Sequence, residues 1–388
     1  MPTTSRFVRV LAFLPTLLAA QRSPQAVPPS QTTTDGASGP LLDTRKAAGR
    51  GDAAAQVTLG DAYYLGRGVA QDYAEAARWY RKAADQGVAL AQFNLGAMYY
   101  QGQGVAQSYA EAVRWYRKAA DQGNAEAEFN LGAMYAQGWG VAQSYAEAVR
   151  WYRKAADQGD AGAQLGLGTM YYQGQGVAQS YAEAVRWYRK AADQDRALAQ
   201  ALAQRYLGSM YAQGWGVAQD YAEAARWFRK AADQGDAEAQ DNLGIMYSKG
   251  QGVTQDDAEA VKWFRGAAEK GYARAQLNLA RMLSAGRGVS QNHAEEARWL
   301  RAAADQGDTE AQAFLSFLYY AGEGVPQDYV QAHMWINLAA AHANGDSQKK
   351  YAGARDEVAA KMDAAQIAEA QRLAREWKPE EWKPIKAK

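Results

Sequence analysis

The stretch Val88–Gly123 reads VALAQFNLGAMYYQGQGVAQSYAEAVRWYRKAADQG, and close copies of it fill most of the chain. Its tryptophan, Trp115, is one of eight in register among the chain's 12, with Trp79, Trp151, Trp187, Trp227, Trp263, Trp299 and Trp335. They recur at a step of 36 residues that lengthens once, to 40, between Trp187 and Trp227. So strict a register marks a repeat array, whose units bury their apolar faces by stacking on their neighbours. Taking Asp52 as the start, the units span 52–87, 88–123, 124–159, 160–199, 200–235, 236–271, 272–307 and 308–345. The function of such a molecule comes from a surface rather than a pocket.

Within the second unit, Ala91, Leu95, Met98 and Tyr99 recur at i, i+4, i+7 and i+8, one face of a helix, here helix A. Gly102 follows, the left-handed residue that ends it. Ser108 and Glu111 have the spacing of a capping box that opens helix B, repeated at Asp72/Glu75, Ser144/Glu147, Ser180/Glu183, Asp220/Glu223, Asp256/Glu259, Asn292/Glu295 and Asp328/Gln331. Helix B is expected to bury Tyr109, Ala112, Trp115 or Tyr116, and Ala119, and to stop at Gly123, with Asn124 capping the next helix A. Two antiparallel helices per unit give an all-α fold, an α/α superhelical solenoid of eight helix-turn-helix repeats over 44–345. The long step contains ALAQ at Ala197–Gln200 and again at Ala201–Gln204. Four residues are about one helical turn, so helix A of the fifth unit should begin a turn early, absorbing Arg196 to Ala199. Residues 346–377 read as one or two amphipathic helices that cap the last face, followed by a tail over 378–388.

The pattern Ala91, Leu95, Gly96, Tyr99, Gly102, Gly104, Val105, then Ala112, Trp115, Ala119, Ala120 and Gly123 resembles the Sel-1-like repeat, a relative of the tetratricopeptide repeat. The resemblance implies a scaffold or adaptor, used in bacteria for signalling, envelope and exopolysaccharide control and host contact, and in eukaryotes for protein quality control. A secreted branch of that family staples its repeats with cysteines and is associated with β-lactam chemistry. This chain has no cysteine, so that association does not transfer. Ala280 and Ser316 depart from the helix A glycine, and Asp195 from the closing glycine of the fourth unit.

Lys and Arg number 43 against 42 Asp and Glu, which leaves no global basic field for nucleic acid or an anionic membrane. Residues 1–20 carry Arg6 and Arg9, then an apolar run from Val10 to Leu18, with no acid, the layout of a secretory signal peptide. The run is too short to span a bilayer, which needs about 20 apolar residues. The expected location is therefore periplasmic or secreted, with the cytoplasm as the alternative and no stable membrane insertion after cleavage. Residues 21–43, rich in Pro, Ser, Thr and Gln up to Pro40, read as a disordered linker.

Catalytic, cofactor and metal sites are all expected to be absent. The three histidines are His293, His333 and His342; the last two lie nine residues apart on one helix and so point to opposite sides. The paired glycines recur in every unit, which suits a turn and not a single phosphate site. The ladder Arg78, Arg81, Lys82 and its copies has acids three or four residues away, the mark of a solvated, internally paired face.

Positions that vary between units are free of the shared fold. On helix A these are the third, sixth, tenth and thirteenth, which share one helical face, and in tetratricopeptide-like arrays that face lines a concave groove. The candidate partner-binding residues there are Tyr64, Phe93, Tyr100, Phe129, Tyr172, Arg205, Arg281 and Tyr320; aromatics and arginine are common interface anchors. Trp139 and Trp215, between the loop glycines of units three and five, form a second candidate set. The expected partner is a protein or peptide, bound by a non-catalytic scaffold. The alternatives are a secreted hydrolase or carbohydrate-active envelope protein of the same fold, which would show one cluster of unlike polar residues, and a structural spacer, which would show none.

Overall fold

The computed structural model describes residues 39–194 and 197–380, and it is all-helical among those residues. The expected signal sequence over 1–20, most of the linker, Asp195, Arg196 and the end of the tail lie outside them. Helix α1 (Gly39–Gly49) precedes the array. The repeats then pair α2 (Ala53–Leu65) with α3 (Tyr73–Asp85), α4 (Ala89–Gln101) with α5 (Tyr109–Ala120), α6 (Ala125–Gln137) with α7 (Tyr145–Asp157), and α8 (Ala161–Gln173) with α9 (Tyr181–Ala192). They continue with α10 (Ala197–Gln213) and α11 (Tyr221–Asp233), α12 (Ala237–Lys249) and α13 (Asp257–Glu269), α14 (Ala273–Ala285) and α15 (His293–Asp305), and α16 (Thr309–Ala321) and α17 (Tyr329–His342). Helices α18 (Gly345–Ala359) and α19 (Ala364–Glu376) follow. The fold is thus an α/α solenoid of eight repeats. The chain divides into two compact units, one ending at Ala203 but including Trp215–Val217, the other made of Gln204–Gly214 and the residues from Ala218 onward.

Local chemistry sets the helix ends. Gly102 ends α4 in the left-handed conformation, φ 71°, and its N–H returns to the Met98 carbonyl, as an αL cap requires. The Ser108 hydroxyl accepts from Glu111 N at 3.3 Å, and the Asn124 amide oxygen accepts from Ala127 N at 2.7 Å. The expected reciprocal half of the box at Ser108/Glu111 is not what Glu111 does. Its carboxylate pairs with Arg114, and among the described residues both halves form together only at Asp363/Gln366. Helix α10 has 17 residues where the other A helices have 13, so the duplicated ALAQ adds a turn to its start, Arg196 aside.

The array is held by contacts that reach from one repeat into the next. In the first unit Trp115 packs with Ala76, Tyr80 and Ala83 of the preceding repeat, and Trp151 with Ala112, Tyr116 and Ala119. Trp263 packs likewise with Ala224, Phe228 and Ala231, so these indoles are received by the previous helix B, which accounts for the strictness of their register. Trp115 and Tyr116 are both buried, whereas Tyr109, expected inside, is half exposed. The helix A glycines face the same ring row. A Cβ on Gly96 would lie 2.8 Å from Tyr116 Cδ1, and one on Gly132 2.7 Å from Tyr152 Cδ1. In the second unit Gly208 and Gly244 meet Phe228 and Phe264 in the same way. Where the sequence departs from glycine, at Ala280 and Ser316, the residue twenty places on is Leu300 and Ile336, aliphatic and not aromatic. Size is exchanged across the contact.

Both ends depart in part from expectation. The linker expected over 21–43 ends earlier, since α1 begins at Gly39. Its Ala48 is buried and its carbonyl accepts from Gln56 Nε2 at 3.1 Å. Lys46, Ala47 and Ala48 repeat the Lys-Ala-Ala that ends each early helix B, so α1 stands in for the second half of a preceding repeat. At the other end α18 and α19 pack on α17, where Trp377 meets Trp335 edge-on, ring centroids 6.2 Å apart. The tail starts attached: Glu380 N donates to the Asp305 carbonyl at 2.8 Å.

Candidate interaction site

The variable stripe of helix A divides by depth. Phe93, Phe129 and Arg205 are buried, which corrects their assignment as partner contacts: in this fold they face neighbouring helices. Phe93 lies 5.9 Å from the Tyr116 ring and Phe129 5.8 Å from Tyr152. Arg205 pairs with Glu238 and Asp236. The sixth position of one A helix meets the third position of the next, 33 residues on. A Cβ on Gly162 would touch Phe129 at 3.1 Å, Arg205 reaches Glu238, and the buried Asp241 pairs with Arg274 and accepts from Asn278 Nδ2 at 2.8 Å. The sequence carries the signal for this, since Arg205/Glu238 and Asp241/Arg274 are the same contact with its charges reversed.

The other candidates stay accessible. Tyr64, Tyr100, Tyr172 and Tyr320 end their A helices half exposed. Tyr64 donates to Gln103 Oε1 at 2.8 Å. Arg281 is exposed, paired with Glu310 and lies 5.7 Å from the Phe314 ring. Phe317, three residues after Phe314, is the most exposed of the large apolar side chains among the described residues, at 55%.

The second glycine of each loop, unexplained by the helix-stop argument, decides where the loop side chain goes. Gly104 lies on the first turn of the preceding helix B so closely that a Cβ would sit 2.1 Å from the Tyr73 carbonyl oxygen, and one on Gly140 2.3 Å from Tyr109 C. The residue between the glycines is thereby laid across the preceding repeat. Trp139 stacks on Tyr109, centroids 5.8 Å apart and planes 19° apart, with Tyr100 5.8 Å from the indole. Trp215 stacks on Tyr181 at 5.7 Å and 17°, with Tyr172 5.8 Å away. These two triads have the same form and both belong to the first unit. Tyr109, expected in the core, and Tyr181 were not among the candidate contacts, because every repeat but two has tyrosine there and only the loop tryptophan makes these two distinct.

The basic ladder sorts into three roles. Arg78, Arg114, Arg150 and Arg186 are exposed and pair with the glutamate three residues before, as expected of a solvated face. Arg81, Arg117 and Arg153 instead donate to Tyr99, Tyr135 and Tyr171 of the next repeat. Arg81 and Arg117 also cover the next tryptophan, at 5.4 Å from Trp115 and 4.9 Å from Trp151. Lys118 and Lys154 lie over those same indoles at 4.2 and 4.3 Å, and Arg114 and Arg150 at 5.8 Å, so each ring is approached by three cations. Among the described residues no three His, Asp or Glu side chains are placed to hold a metal ion, and no helix is long and apolar enough to cross a membrane. His333 is buried, and burial first, then Arg355, holds its imidazole below the usual range. His293 Nδ1 lies 2.8 Å from the Glu296 carboxylate.

The Sel1 repeat model matches residues 53–88, 89–124, 125–160, 161–195, 201–236, 237–272, 273–308 and 309–344. Among solved structures, the chain is similar to a Sel1 repeat protein from Oxalobacter formigenes, at 31% identity over 88% of this chain and 99% of that one, with a TM-score of 0.63. It is also similar to c5321, described as a protective antigen of uropathogenic Escherichia coli, at 34% identity over 89% of this chain and 88% of that one, with a TM-score of 0.49. No curated protein matches the chain. Eight matched copies across residues 53–344 place the chain in the Sel1 repeat family.

Proposed function

We propose that the chain is a non-catalytic interaction scaffold that binds a protein or peptide through the half-exposed aromatic residues at its helix A ends and loops, Tyr100, Tyr172, Trp139 and Trp215 foremost. The observation that carries this is the pair of like triads. Each half-exposed tryptophan is held in place by a glycine contact and a ring stack, so it presents its surface with little ordering cost. Tryptophan and tyrosine are the side chains most often found as binding anchors. The charge-then-apolar layout of residues 1–20 supports export, which would put the scaffold in the cell envelope or outside the cell. A photo-crosslinking amino acid at Trp139, incorporated in the native cell, tests the reading. It should trap one partner protein, whereas the same label at Arg78, on the charged face of helix B, should not. Equal labelling from both sites would refute the assignment.

A further inference from the structure

We propose that the two triads are paired docking sites for an uncharged, proline-rich segment of the partner, bound as a polyproline II helix. This rests on the scaffold reading and specifies its ligand.

Three observations converge on that chemistry. The tracts 99–110, 135–146 and 171–182, which carry the first triad and most of the second, contain no Asp, Glu, Lys or Arg. The loops of the last three repeats, by contrast, carry Lys249, Arg287 and Glu323 between their helices or at their edges. Arg81, Arg117 and Arg153 touch these tracts at Tyr99, Tyr135 and Tyr171 but are engaged there, so a charged ligand would find no counter-charge within the tracts themselves and would lose hydration there.

The hydrogen-bond polarity is fixed as well. Gln107 Nε2 donates to the Tyr109 hydroxyl at 3.4 Å, and Gln179 Nε2 to the Tyr181 hydroxyl at 3.3 Å. Each hydroxyl oxygen therefore accepts from within the protein and has its own proton to offer outward. The complementary ligand is an acceptor. A prolyl chain has carbonyls and no N–H, and in polyproline II those carbonyls make no internal hydrogen bonds. A sugar would offer as many donors as acceptors, and the tracts hold no carboxylate to meet them.

The third observation is shape. Stacked tryptophan and tyrosine rings make the flat, uncharged walls against which pyrrolidine rings pack, the usual basis of proline-rich recognition. Because the triads are two repeats apart, one ligand that reaches both binds more tightly than either site alone would allow.

Fluorescence polarisation of a fluorescein-labelled peptide of twenty prolines with the full chain is the direct test, with short neutral glucans as competitors. Saturable binding is expected. Trp139→Ala and Trp215→Ala should each weaken it at least tenfold, and the double variant should abolish it. Tyr109→Phe and Tyr181→Phe keep the rings and remove the outward donors, and each should weaken binding several-fold; they carry the test if a tryptophan variant unfolds. No saturable binding by the unaltered chain, unchanged binding in the double variant, or displacement of the peptide by glucans would each overturn the proposal. If the crosslinked partner is still trapped by a chain that ignores the proline peptide, this inference fails and the scaffold reading stands. If no partner is trapped at all, the broader reading fails.

Discussion

Replacing Gly96 by alanine should destabilise the chain, although alanine is the better helix former. The substitution gains about 1 kcal/mol of helix propensity at an interior position. It also puts a methyl 2.8 Å from Tyr116 Cδ1 and 2.9 Å from Cε1. Those atoms belong to a buried ring that cannot swing into solvent. Overpacking of this kind costs about 1–3 kcal/mol, so the net loss should lie between about 0 and 2 kcal/mol by the difference of those terms, toward the upper end because the ring is confined. Tyr116→Leu alone opens a cavity where the ring stood and should cost about 3 kcal/mol. Together the two changes recreate the natural pair Ala280/Leu300, and the double variant should be more stable than the sum of the two losses by at least 1 kcal/mol, since contacting residues couple. Urea unfolding of the full chain, followed by far-UV circular dichroism for all four proteins, gives the cycle. Additive losses, or a Gly96→Ala chain more stable than the parent, would refute the size-exchange argument.

Glu128 stands where the other A helices carry Gln92, Gln164 and Gln240, whose amides donate to the Ala84, Ala156 and Ala232 carbonyls. A carboxylate has no such donor. Burial raises the Glu128 carboxyl above the usual range, although the Gln158 amide and Lys154 pull it down. A raised acid is stabilising below its unfolded value of about 4.3, and that contribution disappears as pH rises through the folded value. Glu128→Gln should therefore raise stability at pH 7 by about 1 kcal/mol, with the gain vanishing in melts below pH 4. Arg117→Ala removes both the Tyr135 bond and one cationic cover of Trp151. It should cost about 2 kcal/mol in urea unfolding, with Arg117→Lys recovering only part.

The repeat count, the helix ends and the long fifth A helix were legible because each depends on chemistry local to the chain: tryptophan spacing, left-handed glycines, N-cap side chains and a one-turn duplication. Depth was less legible. Phe93, Phe129 and Arg205 vary between repeats and were read as a free face, yet all three are buried, and Phe129 and Arg205 each answer a different residue 33 positions on, Gly162 and Glu238. A position can escape the shared pattern by pairing with its neighbour as well as by facing solvent. Arg117 was misread for a related reason. Its acid neighbours in sequence suggested an ion pair within one helix, while the tyrosine and tryptophan it serves lie in the next repeat. The loop tryptophans were visible as exceptions, but their stacking partners follow only from the close approach of Gly140 and Gly216 to the preceding helix.

The division of labour between the repeating tryptophans and the loop tryptophans is tested most directly by measuring stability and partner retention together, in the full chain, for Trp115→Ala and for Trp139→Ala/Trp215→Ala. Trp115 is buried in the contact with the preceding repeat, so its loss should cost about 3–5 kcal/mol. The loop double variant should unfold within about 1 kcal/mol of the parent, as half-exposed positions do, and yet no longer retain, in affinity capture, the partner that the label at position 139 identifies in the parent. A double variant that unfolds as readily as Trp115→Ala, or one that keeps its partner at full yield, would contradict the account.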